Sequence, residues 1–475
     1  MKNIFKYLVL VLSIVAISSC SDDIMDDINK DLNNSEKAES KLLLPSAIVE
    51  TAFGTASTDI AWYSSVYVEH SAGTFGQLQT ADNRTGCREA SLFNNSWNSV
   101  YSNLMVLKDI TTKCSPSGTE PKNFITLGIS QVLTAYNLAV LTDMWGQVPW
   151  SQALQGAGNY QPKFDKQQDI YNSIFTMLDS AIVNFGKTNA VNIAKYDLIY
   201  GGDKAKWKKA AWGLKARYYL RLSGRVPAYL DNALACIPNS FASAGDAFMF
   251  NKYEASAIGE NAWYQFYYDR SYLAVGKNLF DLMEARNDTN RIVAYFLTDA
   301  DGNYTPAPNG NANPGQGSGE YSLSALTDAG QTAATPLMTY HELKFIEAEA
   351  KFKKSDATYQ ATLKSAVEAS FTYQGVSGGS TYYTDNVLPR LTAGNELKEI
   401  ITQKYIAFYE FEAIEAYNDF RRTGFPVMTN PNNANPNLGF VNRFPYPTSE
   451  VTSNSANVPS INIFSGKVWW AGGTE

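Results

Sequence analysis

ITQKYIAFYEFEAIEAYNDFRRTGFP, residues 401–426, decides how the chain is read. With Leu397 just ahead of it, Ile401, Tyr405, Phe408 and Phe411 recur every three or four residues and make one apolar helix face. Glu415 and Asp419 stand four apart, and Arg421 and Arg422 follow in the last turn, where cations complement the helix dipole. Gly424 and Pro426 then stop the helix. A glycosidase would need two carboxylates facing each other across a cleft, roughly 5 to 9 Å apart, one with a raised pKa. Acids beside arginines are driven the other way. The stretch therefore reads as an ion-paired helix terminus, a support and not a catalytic site.

Outward from it, the same periodicity marks helices near residues 43–56, 90–113, 121–143, 167–185, 204–223, 271–285, 336–353, 357–372 and 396–421. Strand-like alternation is scarce, so the fold class is mainly α. In TPLMTYHELKFIEAEAKF, residues 335–352, Pro336 opens the helix and Thr339 with Glu342 has capping-box spacing. Glu347 and Glu349 do not share a helix face and make a poor catalytic pair. Long irregular stretches separate the helices at 186–203, 225–262, 299–334, 374–394 and from 427 onward. Loops of that length are functional or disordered, and these carry aromatics that a disordered linker would lack. The pattern predicts stacked helical hairpins with the excursions gathered on them as a second layer, although no strict 34-residue repeat aligns.

At the N-terminus, Lys2 and Lys6 precede an apolar run over residues 7–17 that ends Ile17-Ser18-Ser19-Cys20. The run is too short to span a bilayer and reads as a secretory signal. A cysteine directly after small residues reads as a lipoprotein processing site, with Cys20 acylated. Residues 1–19 are thus expected to be the signal, residues 20–41 the acylated Cys20 and a flexible acidic tether, and residues 42–475 a single domain. No other window is expected to span a membrane. Net charge is −7 with no basic stripe, which argues against nucleic acid. Cys87, Cys114 and Cys236 are an odd set without CxxC spacing, which permits at most one disulfide and supports no zinc site.

Three patterns of catalysis or metal binding occur only in part. Gly375-Val376-Ser377-Gly378-Gly379 fits G-x-S-x-G, but that elbow needs a strand before the serine and a helix after it, whereas this one follows a helix. His70 and His341, the only histidines, lie far apart and form no HExxH. Residues 299–303, DADGN, lack the spacing and closing glutamate of a calcium loop. No catalytic residue, metal or cofactor is expected. The remaining signal is aromatic, 29 Tyr and 9 Trp, densest in ENAWYQFYYDRSY at 260–272. Sugar rings stack their C–H faces on such side chains, and their hydroxyls bond to neighbouring polar groups. The candidate ligand-binding residues, read as a loop, are Trp263, Tyr264, Tyr267, Tyr268, Asp269 and Arg270.

Taken together, four stretches resemble the SusD/RagB family of nutrient-binding outer-membrane lipoproteins, in its SusD-like branch. They are LTDMWGQVPWSQAL at 141–154, LKFIEAEAKF at 343–352, QKYIAFYEFEAIEAYNDFRRTGFP ending at 426, and NRFPYPTSEVTSN at 442–454. One departure is Asp288-Thr289-Asn290-Arg291, where members often show Asp-Pro-Arg. The resemblance implies four tetratricopeptide-like helical hairpins as scaffold and a loop-rich layer carrying the ligand site. It implies capture of an oligosaccharide without covalent chemistry, and delivery to a SusC-like TonB-dependent transporter. The run Ser21-Asp22-Asp23 looks like the acidic signal that sends such lipoproteins to the outer face of the outer membrane. Peptide capture within the same family, an α-helical glycosidase and a purely structural repeat protein are the alternatives.

Overall fold

In the computed structural model of the chain, residues 38–475 are described, apart from residues 89 and 436. The expected signal, Cys20 and most of the expected tether lie outside the described residues; the first described helix is Ser40–Glu50. The architecture is helical, as the periodicity predicts. Asn94–Cys114 packs on Phe124–Trp145, which packs in turn on Gln167–Phe185 and, through it, next to Lys204–Leu222. Lys204–Leu222 pairs with Tyr229–Cys236, and Tyr340–Lys353 pairs with Tyr359–Tyr373 and receives Glu396–Ala407. One cluster of buried apolar side chains runs through all of them from Leu44 to Trp470.

Local chemistry sets the helix ends. The Asp203 carboxylate accepts from the amides of Ala205 and Lys206, and the Thr339 hydroxyl accepts from the Glu342 amide at 3.1 Å, so each satisfies N–H groups that the first helical turn leaves free. Phe124–Trp145 is buried on nearly every side. It is long and apolar enough to cross a membrane, contrary to the expectation from sequence, but 83% of its most apolar window is buried inside the fold, as a central scaffold helix requires. Gly128 lets it approach its neighbour, since a Cβ there would lie 2.5 Å from the Phe185 ring.

Elsewhere the structure redraws the boundaries. The expected helix 396–421 is two helices, Glu396–Ala407 and Ala413–Thr423. Between them Glu410 takes a left-handed conformation, φ 67°, and the break turns Glu410 and Glu412 inward to buried partners. The stretches expected to open helices at 271 and 336 begin as short strands: Leu273–Val275 pairs antiparallel with Ser71–Gly73, and Thr335–Met338 with Phe248–Phe250. A third pair joins Val148–Pro149 to Phe164–Asp165. Helices Asp59–Tyr67, Tyr229–Cys236 and Ala262–Arg270 form where no helix was expected. Cys87, Cys114 and Cys236 are free and buried.

Candidate functional site

The acids and arginines of the opening stretch are consumed by the scaffold. Arg221 pairs with both Asp143 and Glu415, and Arg217 with Glu342 and, at 3.8 Å, with Glu415. Asp419 lies 2.8 Å from both Lys404 and Arg422, and Arg422 grips Glu349 through both guanidinium nitrogens. Burial alone would raise the Asp419 and Glu349 carboxyls, but the surrounding cations outweigh it and hold both below the usual carboxylate range. That is the direction expected of structural ion pairs and the wrong one for a general acid. The closing stretch is structural as well: the Trp145 indole donates to the Pro445 carbonyl at 2.8 Å, and the Tyr446 hydroxyl to that of Gln147 at 2.8 Å. Asp288 and Arg291 form a fully buried ion pair despite the departure from the family pattern between them.

The aromatic cluster is a helix and not a loop. Asn261 caps Ala262–Arg270 by accepting from the amides of Trp263 at 2.8 Å and Tyr264 at 3.4 Å, and Ser271 ends it in a left-handed conformation, φ 51°. Helical spacing then divides the six candidates. Trp263 (0% exposed) and Tyr267 (2%) point into the core and cannot meet a ligand there. Tyr264 is half-buried, and Tyr268 is 71% exposed and stacks on it one turn away, centroids 5.9 Å apart. Asp269 and Arg270 are exposed, and their side chains make no hydrogen bond or ion pair among the described residues.

Beside this face lies a cleft of about 280 Å³. Gln265, Phe266, Asp269 and Arg270 form one wall, and Phe53, Trp62 and Gln77 the other. Trp62 stacks on Phe266 with centroids 4.0 Å apart, and its buried indole N–H has no partner among the described residues. Sequence reasoning missed Phe53, Trp62 and Gln77. Trp62 stands next to Tyr63 in an aromatic run like the one at 263–268, which was the available signal.

Excursions distant in sequence are tied together at this end of the fold by two buried carboxylates. Asp82 accepts from the amides of Gly73 (3.2 Å) and Gly310 (2.8 Å) and from the Asn430 side chain (3.1 Å). Burial, opposed by Arg84 and these amides, pushes its carboxyl up to about 7. Glu69 accepts from the amides of Thr429 (2.7 Å) and Asn430 (2.8 Å). The Gly/Asn-rich segment reaches the aromatic helix as well, Gln316 donating to the Arg270 carbonyl at 2.9 Å.

Other candidate chemistry is accounted for locally. Ser377 sits in the turn after Tyr359–Tyr373 without the strand an elbow requires, and its carbonyl accepts from Asn290. His70 contacts the Tyr405 carbonyl at 2.9 Å and burial pushes it down to about 3; His341 contacts Glu412 at 2.7 Å. In the DADGN loop Asp299 accepts from the Asp301 and Asn303 amides and the Thr305 hydroxyl. Among the described residues no group of acidic, His or Cys side chains could hold a metal ion.

The fold is a stacked helical scaffold with an aromatic cleft built against its loop layer. The family described as SusD-like, "starch-binding associating with outer membrane", matches residues 32–447, and the chain belongs to that SusD-like family. A solved SusD/RagB family protein from Bacteroides thetaiotaomicron is 34% identical with a TM-score of 0.84, the match covering 92% of this chain and all of that one. A chitin-binding protein is 25% identical with a TM-score of 0.77, covering 91% of this chain and all of that one. A chitin-binding SusD homologue from Flavobacterium johnsoniae has the same fold at 21% identity and a TM-score of 0.75, covering 90% and 98%. No curated protein matches the sequence.

Proposed function

We propose that this protein captures an oligosaccharide at the cell surface and hands it to a SusC-like TonB-dependent transporter, without cleaving it. The observation that carries the reading is the cleft at the aromatic helix. There the half-buried Trp62 ring, backed by the buried Phe266, offers an apolar surface, and Asp269 and Arg270 offer unengaged polar groups, the combination that sugar faces and hydroxyls require. Tyr264 and Tyr268 extend the aromatic surface beside it. Two solved relatives that bind chitin support the ligand class. The family's association with the outer membrane, together with the Ile17-Ser18-Ser19-Cys20 sequence, supports an anchor through acylated Cys20, a tether ending where the Ser40–Glu50 helix begins, short of the expected residue 41, and an outward orientation.

Calorimetric titration of the chain with soluble polysaccharides and their oligosaccharides, followed by chromatography for cleavage products, tests this. Saturable binding of one glycan class without cleavage is the expected result. Binding only to peptides, or turnover of a glycan, would sink it.

A further inference from the structure

We infer that the Asn94–Cys114 helix carries a second, independent oligosaccharide-binding groove. A cleft of about 620 Å³ shares no lining residue with the cleft at the aromatic helix. Its floor is one face of Asn94–Cys114, where Asn98, Tyr101, Ser102 and Met105 follow helical spacing, and its outer wall is the glycine-containing segment that carries Tyr160. A second cleft of about 390 Å³ continues along the same helix past Lys108 to Thr112. Only residues 153–155 separate the two, held across the helix by the Lys108 ammonium, which donates to the Leu154 carbonyl. From Trp97 to Met105 the larger cleft is about 12 Å long at the helical rise per residue, room for a short run of sugar units.

Its chemistry selects a sugar chain over a peptide. Tyr160 is 75% exposed, and neither its hydroxyl nor the Gln155 amide makes a hydrogen bond among the described residues. A solvent-facing ring beside a free amide matches the C–H face and hydroxyls of a sugar unit. Peptide capture by strand addition needs a run of free backbone N–H and C=O groups, but the strand bordering the groove, Val148–Pro149, is two residues long, Pro149 has no N–H to donate, and its carbonyl already accepts from the Tyr101 hydroxyl at 2.7 Å. The lining also offers no unengaged cation for a peptide carboxylate, since Lys108 is held by Leu154.

The full chain, purified in mild detergent, would be titrated with maltoheptaose, chitohexaose and a tryptic digest of casein, in parallel with Tyr160→Ala, Ser102→Trp and Tyr268→Ala. Tyr160 and Ser102 are exposed, so both groove variants should melt at the wild-type temperature. The expected result is a glycan-binding event weakened at least fivefold by Tyr160→Ala or Ser102→Trp and untouched by Tyr268→Ala. The inference is overturned if no glycan event responds to the groove variants, whether because no glycan binds or because only Tyr268→Ala matters, or if the groove variants weaken casein-peptide binding instead. A groove-sensitive event without a Tyr268-sensitive one would instead leave this inference standing and remove the reading of the first cleft.

Discussion

The Tyr267 hydroxyl donates to the buried carboxyl of Glu410 at 3.2 Å, joining the aromatic helix to the break between the two helices of the family's most distinctive motif. The contact divides that helix into an anchoring face and a presenting face. On the anchoring face, Trp263→Ala should cost about 3–5 kcal/mol of stability, as truncation of a buried large aromatic does. On the presenting face, Tyr268→Ala should leave stability within about 0.5 kcal/mol and weaken glycan binding about fivefold, roughly 1 kcal/mol for a lost stacking ring. Urea denaturation and calorimetry on both variants check the division; loss of affinity without loss of stability in Trp263→Ala would refute it.

Glu410 also gives the fold a pH dependence. Burial pushes its carboxyl from the ordinary 4.5 up to about 8, so the folded state binds its proton more tightly than the unfolded state does. Its contribution is complete below about pH 4.5 and is lost as pH rises through 8. Asp82 acts in the same direction but is spent by about pH 7, and His70, held near 3, is neutral in both states above that pH. From pH 7 to 8.5 Glu410 should account for a loss on the order of 1 kcal/mol, and the thiols of Cys87, Cys114 and Cys236, which burial also pushes up, add to it in the same direction as pH nears the ordinary thiol value. Urea midpoints should fall over that interval in the wild type and stay flatter in Glu410→Gln.

Arg422 and Glu349 test the structural reading of the opening stretch. Arg422→Ala leaves the buried Glu349 with Lys353 alone, at 2.7 Å, and Asp419 with Lys404 alone, so it should cost about 1.5–3 kcal/mol, the worth of hydrogen bonds to a charged group. Arg422→Met with Glu349→Leu should cost less than the two single changes added together, because neither charge is left alone. Additive losses in a double-mutant cycle would show that the two side chains are not coupled.

How much of this was legible depended on the range of the forces involved. Helices with a strong apolar period, such as Gln167–Phe185, emerged with their boundaries correct, and the ionic role of Asp419 and Arg422 followed from their spacing alone. Asp59–Tyr67 and Ala262–Arg270 did not, because aromatics on both faces of a short helix hide the period; the second is fixed by the Asn261 cap and by core contacts of Trp263. Half of the cleft was illegible for a related reason. Trp62 meets Phe266 across some two hundred residues of chain, and no local pattern in one predicts the other.

Asp82 offers the sharpest test of how the loop layer is held. Three segments converge on its carboxylate, through Gly73, Gly310 and Asn430, and only the first is nearby in sequence. Asp82→Ala removes the common acceptor of the buried Gly73 amide and the half-buried Gly310 amide, the buried one costing about 1–3 kcal/mol and the other less. The hairpin helices do not contact this carboxylate, so the loss should be local: faster amide exchange at Gly73 and Gly310 and looser loops at 305–323 and 427–435, with protection in Phe124–Trp145 unchanged. Asp82→Asn keeps one acceptor oxygen and should fall between the two. Hydrogen exchange read by mass spectrometry distinguishes this from the alternative: uniform loss of protection, scaffold included, would mean that Asp82 supports the whole fold rather than the layer that carries the site.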